Sequence, residues 1–87
     1  MEKLFYIGGL KYSTKQAVML CKSSGILDTT TLYRTINGTF FTVCESLMGE
    51  TKAAVIAEAE ARAFMDVNAS GIDIENYNAV FGVPEDG

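Results

Sequence analysis

Residues 29–44 read Thr-Thr-Thr-Leu-Tyr-Arg-Thr-Ile-Asn-Gly-Thr-Phe-Phe-Thr-Val-Cys, and the rest of the chain can be arranged around them. Two runs rich in Thr, Tyr, Phe and Val, residue types that favour strands, flank Asn37-Gly38. Because Asn and Gly accept the positive φ angles of a type I′ turn, the pattern predicts a β-hairpin with Asn37 and Gly38 as its loop. In that register the core face carries the pairs Ile36–Thr39, Arg34–Phe41 and Leu32–Val43.

The opposite face of the predicted hairpin holds two aromatic rings in a field of threonines. Its members are Thr31, Tyr33, Thr35, Phe40, Thr42 and Cys44. Tyr33 and Phe40 are diagonal neighbours in this register, close enough to touch. Two explanations stay open: a helix covers the rings, because large exposed apolar patches are uncommon on monomers, or the rings contact a partner.

The length of 87 residues and the apolar fraction of 48% predict one globular domain, residues 1–82, followed by a loose tail, residues 83–87. The first apolar run is too short for a signal peptide, and no stretch has the roughly 18 apolar residues of a membrane span. A cytoplasmic protein is expected. Cys21 and Cys44 lack metal-type spacing and are expected to be reduced thiols.

Local signals place further elements around the hairpin. Lys3 to Ile7 is a short strand-like run that ends at Gly8-Gly9. Ser13 with Gln16 forms a capping-box pattern that predicts a helix ending at Gly25, with Ile26-Leu27 packed back on the helix end.

Two more helices are predicted after the hairpin. An alanine-rich helix runs from Lys52 to about Val67, since Ala, Glu, Lys and Arg are good helix formers. A short helix begins after Asp73 as N-cap, buries Ile74, Tyr77 and Phe81, and stops at Gly82 and Pro84. The fold class is therefore α+β, in the order β-α-β-β-α-α. A three-stranded, largely antiparallel sheet packs with the long helix and the short C-terminal helix.

Charge is distributed unevenly along the chain, whose net charge is −4. Residues 1–44 hold five Lys or Arg against two acids, and residues 45–87 hold two against nine. Duplex DNA is not an expected partner of an acidic chain. The acidic half can attract a basic protein surface, so the candidate partner contacts on predicted helix surfaces are Glu58, Asp66, Asp73 and Glu75.

The chain contains no histidine, which excludes catalytic triads and general-base schemes that need imidazole. No pair of acids is compelled by spacing to converge in a cleft, so neither an enzyme nor a metal or cofactor site is expected. One alternative is a small-ligand or anion site at Gly8-Gly9. There a strand would lead into a helix N-terminus beside Lys11 and Lys15.

Two resemblances bear on function. Tyr12-Ser13-Thr14-Lys15-Gln16-Ala17 and Thr31-Leu32-Tyr33-Arg34 with Gly38 resemble excisionase and MerR-type DNA-binding domains. That resemblance implies a recognition helix over residues 28–36 and a wing over residues 37–43. Leu32 to Phe41 and Tyr77 to Gly82 resemble short, functionally unassigned proteins of bacteria and prophages. This second resemblance covers roughly the last two thirds of the chain and implies a small accessory protein.

The leading expectation is a non-enzymatic protein-binding module, in particular a phage-type inhibitor of a host defence machine, similar to anti-CRISPR proteins. Its partner would offer a basic or aromatic groove, and a homodimer is compatible with the sequence. Tyr33, Phe40, Thr35 and Thr42 are the expected contacts on the hairpin, beside the acidic residues already named. The alternatives are a DNA-binding regulator of excisionase or MerR type, and the Gly8-Gly9 ligand site.

Overall fold

The computed structural model describes residues 3–82 and has two antiparallel sheets with two α-helices. The α+β class is confirmed, but the sheets have two and four strands, so the predicted single three-stranded sheet is wrong. A 3₁₀ turn, Ala69–Gly71, separates the two helices. In chain order the elements are β1 (Leu4–Ile7), β2 (Leu10–Ser13), β3 (Val18–Ser24), β4 (Asp28–Arg34), β5 (Phe40–Ser46), β6 (Thr51–Ile56), α1 (Glu58–Val67) and α2 (Ile74–Phe81).

The predicted N-terminal strand is confirmed as β1, and β2, which ends at Ser13, follows it. The helix predicted from Ser13 to Gly25 is wrong, because Val18–Ser24 forms strand β3. Gly8 and Gly9 have φ angles of 58° and 80° and form the two-residue loop between β1 and β2, a backbone that glycine adopts without steric cost. The Ser13 hydroxyl accepts the Gln16 N–H at 3.3 Å, as the capping pattern predicted. This turn does not continue into a helix, because Val18 and the residues after it pair with β4.

The central hairpin is confirmed as β4 and β5, but its predicted register is wrong by one residue. Tyr33 lies opposite Phe41 and Leu32 opposite Thr42. The loop has three residues instead of two: Gly38 N–H donates to Thr35 O at 3.0 Å, and Thr35 N–H donates to Thr39 O at 2.8 Å. Only Gly38 has a positive φ, 87°, so the loop is a type I turn followed by a glycine bulge, not a type I′ turn.

The β5–β6 hairpin uses the same kind of loop and overturns the predicted helix start at Lys52. Gly49 has a φ of 91°, and its N–H donates to Ser46 O at 3.0 Å. Thr51–Ile56 then pairs with β5 along its length, and the helix begins only at Glu58. Backbone bonds to an existing strand outweigh helix propensity, which amounts to less than about 1 kcal/mol per residue.

Strand β3 is the edge of the sheet beside the helices, and the chain after α1 covers it. A bulge between Met19 and Cys21 leaves both Leu20 and Cys21 buried. Asp73 N–H donates to Leu20 O at 2.9 Å, and Asn76 Nδ2 donates to Met19 O at 2.8 Å. These bonds satisfy edge groups that would otherwise be open to another strand.

The predicted N-cap of the last helix is confirmed. The Asp73 carboxylate accepts the Asn76 N–H at 3.0 Å, and Gly82 ends α2 with a φ of 83°. Tyr77 and Phe81 pack on the core as predicted, but Ile74 is exposed, so its predicted burial is wrong. The predicted stop at Pro84 and the loose tail lie outside the described residues.

The four-stranded sheet, in the order β3-β4-β5-β6, is covered on both faces. Alternate residues of a strand point to opposite faces, so consecutive phenylalanines of β5 enter different cores. Phe40 joins Leu20, Leu32, Ala61 and Met65 beneath the helices. On the other face Phe41 and Val43 pack with Tyr12 from the β1–β2 hairpin.

Candidate protein-binding site

Tyr33 and Phe40 do not share a face, which corrects the expected aromatic contact surface. The one-residue change of register sends Phe40 under α2, where its ring stacks on Phe81 at 6.2 Å between centroids. Phe40 is 5% exposed, so a partner cannot reach its ring. Tyr33 lies on the other face, half-buried and stacked on Phe41 at 5.2 Å.

Tyr33 lines a groove of about 470 Å³ on the same face of the sheet as the β1–β2 hairpin. Burial raises the pKa of the Tyr33 phenol; the negative charge of Glu45 raises it further, and Lys3 lowers it. Glu45 itself is ion-paired with Lys3. The residues around the groove are Met19, Lys22, Gly25, Ile26, Asp28, Thr29, Thr31, Tyr33, Glu45, Ser46 and Leu47.

The two threonines expected at the binding face lie apart from this groove. The Thr35 hydroxyl accepts the Thr39 N–H at 3.1 Å and so forms part of the β4–β5 loop. Thr42 lies opposite Leu32, on the face that carries the helices, and is half-buried. Their role as partner contacts stays a prediction.

The four acidic candidates lie on and beside the helices and do not line the groove. Glu58 accepts a hydrogen bond from Arg62 Nε at 3.0 Å, and the Arg62 guanidinium lies 4.7 Å from the Phe81 ring centre. Asp66 and Glu75 are exposed, whereas Asp73 is committed to capping α2. Their role as partner contacts also stays a prediction.

Charge divides the described chain into two parts. Residues 57–82 carry five acids and a single base, while residues 3–56 carry six bases and three acids. The helical layer is therefore negative, and the sheet with its N-terminal hairpin is mildly positive.

A group of exposed apolar side chains at one end of the sheet was missed by the sequence prediction. Ile26 and Leu27 form the β3–β4 loop, and Leu47 and Met48 belong to the β5–β6 loop; their exposed fractions are 92%, 72%, 76% and 90%. Both loops lie at the same end of the sheet, because Asp28 pairs with Ser46. We call these four residues the apolar tip.

A backbone hydrogen bond joins the two halves of the apolar tip. Leu47 N–H donates to Leu27 O at 2.9 Å, so the two loops are held as one projecting unit. Ile26 and Leu47 also form one end of the Tyr33 groove. The expectation that Ile26-Leu27 packs back on a helix end is wrong, because the preceding segment is a strand. The sequence signal that was available is the repeated pattern of an apolar pair beside a turn glycine, Gly25 or Gly49.

The structure lacks the local elements that the two alternative functions require at the described residues. Gly8-Gly9 joins two strands, so it offers no helix N-terminus to an anion. Residues 28–34 form a strand where the DNA-binding alternative requires a recognition helix.

Of the two free cysteines, Cys21 is buried and Cys44 is half-buried. Burial raises the pKa of the Cys21 thiol, and this thiol donates a hydrogen bond to Asn68 O at 3.3 Å. Within residues 3–82 no three His, Cys, Asp or Glu side chains come together as metal ligands. None of the helices in that range is long and apolar enough to cross a membrane.

Searches with the chain matched no family model, no curated protein and no solved structure. The apolar tip and the groove beside it are therefore the features of the molecule that bear on function.

Proposed function

We propose that this protein is a small non-enzymatic binding module that inserts its apolar tip into a groove on a partner protein. The observation that carries the proposal is the exposure of four large aliphatic side chains on two loops that a backbone bond holds together. Monomeric proteins rarely expose such a cluster unless it binds something. The Leu47–Leu27 bond lowers the cost of ordering the loops on binding, which favours affinity.

The shape and charge of the molecule define the partner. A projecting tip requires a concave, apolar receptor, and the acids next to the tip in the chain favour basic residues around the receptor groove. Asp28 and Glu50 lie beside the tip and can meet basic residues at the groove rim. The narrower proposal is an inhibitor that blocks such a groove on a host defence machine, in the manner of anti-CRISPR proteins.

Substitution of the tip tests this proposal. Leu27→Ser with Met48→Ser removes two aliphatic groups whose side chains are exposed, so the melting temperature should stay unchanged. Binding to a partner should weaken by about 2 kcal/mol or more, roughly 30-fold in Kd. The matched control is Ile36→Ser, since Ile36 is equally exposed, at 89%, but lies at the opposite end of the sheet.

The measurement has two stages. Tagged wild-type, tip-variant and Ile36→Ser proteins are used for affinity capture from the host lysate with mass spectrometry, and the captured protein is then purified and titrated against all three. The proposal requires that the wild-type and Ile36→Ser proteins capture the partner and that the tip variant does not. Equal binding by all three proteins would contradict it. Tip-dependent binding to neutral phosphatidylcholine vesicles, without a protein partner, would assign the tip to a membrane surface instead.

A further inference from the structure

Asn37 lies in the three-residue β4–β5 loop with its side chain exposed. Within the described residues its side-chain amide has no hydrogen-bond partner, so it is free to rotate. The next residue is Gly38, which has no Cβ to hinder approach to its backbone nitrogen. The Asn37-Gly38 pair therefore lets the backbone nitrogen attack the preceding side-chain amide once the turn opens.

The other three asparagines of the chain are held in place. Asn68 Nδ2 donates to Phe64 O at 2.9 Å, and Asn76 Nδ2 donates to Met19 O at 2.8 Å. Asn78 lies within α2, whose backbone geometry is fixed by hydrogen bonds. Each of these three is followed by a residue with a side chain, Ala69, Tyr77 or Ala79.

We propose that Asn37 is a site of spontaneous deamidation, at which the folded protein slowly gains a negative charge. The Gly38 nitrogen bonds to Asn37 Cγ and gives up its proton, and the Cγ–Nδ2 bond breaks so that ammonia leaves. Water then opens the resulting cyclic imide at either carbonyl, which yields aspartate or isoaspartate. The net change is consumption of one water and release of one ammonia, without oxidation or reduction.

The loop also sets the rate of this reaction. Gly38 N–H donates to Thr35 O at 3.0 Å, and the Thr35 hydroxyl accepts the Thr39 N–H at 3.1 Å, so the turn must open before Gly38 can attack. A Cβ at Gly38 would lie 3.4 Å from the Arg34 guanidinium, so this cation lies against the loop in which the new carboxylate forms. The loop is at the end of the sheet opposite the apolar tip.

The experiment is incubation of the purified protein at mildly alkaline pH, followed by ion-exchange chromatography and tryptic peptide mapping. Cleavage after Arg34 and Lys52 isolates a peptide, Thr35 to Lys52, in which Asn37 is the only asparagine. Residues 68, 76 and 78 fall in the peptide that follows Arg62. The proposal requires a new acidic species whose mass change and isoaspartate content map to the first peptide.

Three variants distinguish deamidation at Asn37 from other chemical changes that occur during incubation. Asn37→Gln should abolish the acidic species, and Gly38→Ala should slow its formation strongly while circular dichroism shows a folded protein. Thr35→Ala removes the hydroxyl that ties the loop and should speed the reaction. No reaction in the Thr35–Lys52 peptide over the time in which the denatured chain reacts, or an equal rate in Gly38→Ala, would overturn the proposal. The site is independent of the proposed function, so partner binding through the apolar tip should survive deamidation.

Discussion

At the scale of one residue, Tyr33 makes the stability of the folded state depend on pH. Its phenol pKa is raised, first by burial and then by Glu45, because removal from water and a nearby negative charge both disfavour the phenolate. The unfolded chain has the ordinary phenol pKa, so Tyr33 contributes its full stabilisation of the folded state at any pH below that pKa. It is lost as pH rises through the higher pKa of the folded state.

Tyr33→Phe should therefore reduce the loss of stability at alkaline pH. The variant has no group to ionise, and its unfolding midpoint should fall less steeply than that of wild type above the ordinary phenol pKa. Tyr6→Phe is the matched control, since Tyr6 is 74% exposed. The measurement is thermal unfolding of the three proteins across neutral to alkaline pH, and identical slopes in wild type and Tyr33→Phe would contradict the expectation.

At the scale of the secondary-structure element, two hairpin loops have the same backbone geometry although their residues differ. The β4–β5 loop has Asn37 before Gly38, and the β5–β6 loop has Met48 before Gly49. Both glycines have φ near 90° and both N–H groups bond the first residue of the turn. Met48 shows that the position before the glycine does not need asparagine, because its φ is not positive.

This geometry predicts unequal effects of substitution at neighbouring positions. Gly38→Val should destabilise the fold by about 1–2 kcal/mol, because a β-branched residue resists positive φ. Asn37→Ala should change stability by no more than about 0.5 kcal/mol, as is usual for exposed sites. Urea unfolding of both variants provides the measurement. Similar losses at the two positions would instead indicate a type I′ turn, in which both residues need positive φ.

The whole molecule consists of three layers, and this arrangement predicts which residues act together. Tyr12 contacts Phe41 at 5.3 Å between ring centroids on the side of the β1–β2 hairpin. Phe81 stacks on Phe40 on the helical side. Because the sheet separates these two cores, a change in one should leave the packing of the other intact.

Double-mutant cycles should show this separation. Tyr12→Leu with Phe41→Leu should be non-additive by about 0.5–1.5 kcal/mol, since the rings touch. Tyr12→Leu with Phe81→Leu should add to within about 0.5 kcal/mol. Leucine is chosen so that each variant keeps enough apolar volume to fold. Strong coupling between Tyr12 and Phe81 in chemical denaturation would show that the two faces form a single packing unit.

The features that depend on local backbone chemistry could be predicted from the amino-acid sequence. These are the α+β class, the strands on either side of Gly38, the Asp73 cap and the end of α2 at Gly82. The last three depend on a cap or a turn glycine, and such effects act over a few residues whatever the rest of the chain does.

Strands β3 and β6 and the register of the central hairpin depend on contacts between distant parts of the chain, and the candidate site depends on all three. Val18–Ser24 and Thr51–Ile56 are strands because β4 and β5 offer them hydrogen bonds and burial, which exceed their small local preference for a helix. A shift of one residue in register exchanged the faces of Phe40 and Tyr33, because side chains alternate along a strand. The apolar tip exists because strand pairing brings two loops, some twenty residues apart in the chain, to the same end of the sheet. No local sequence pattern predicts that these two loops lie side by side.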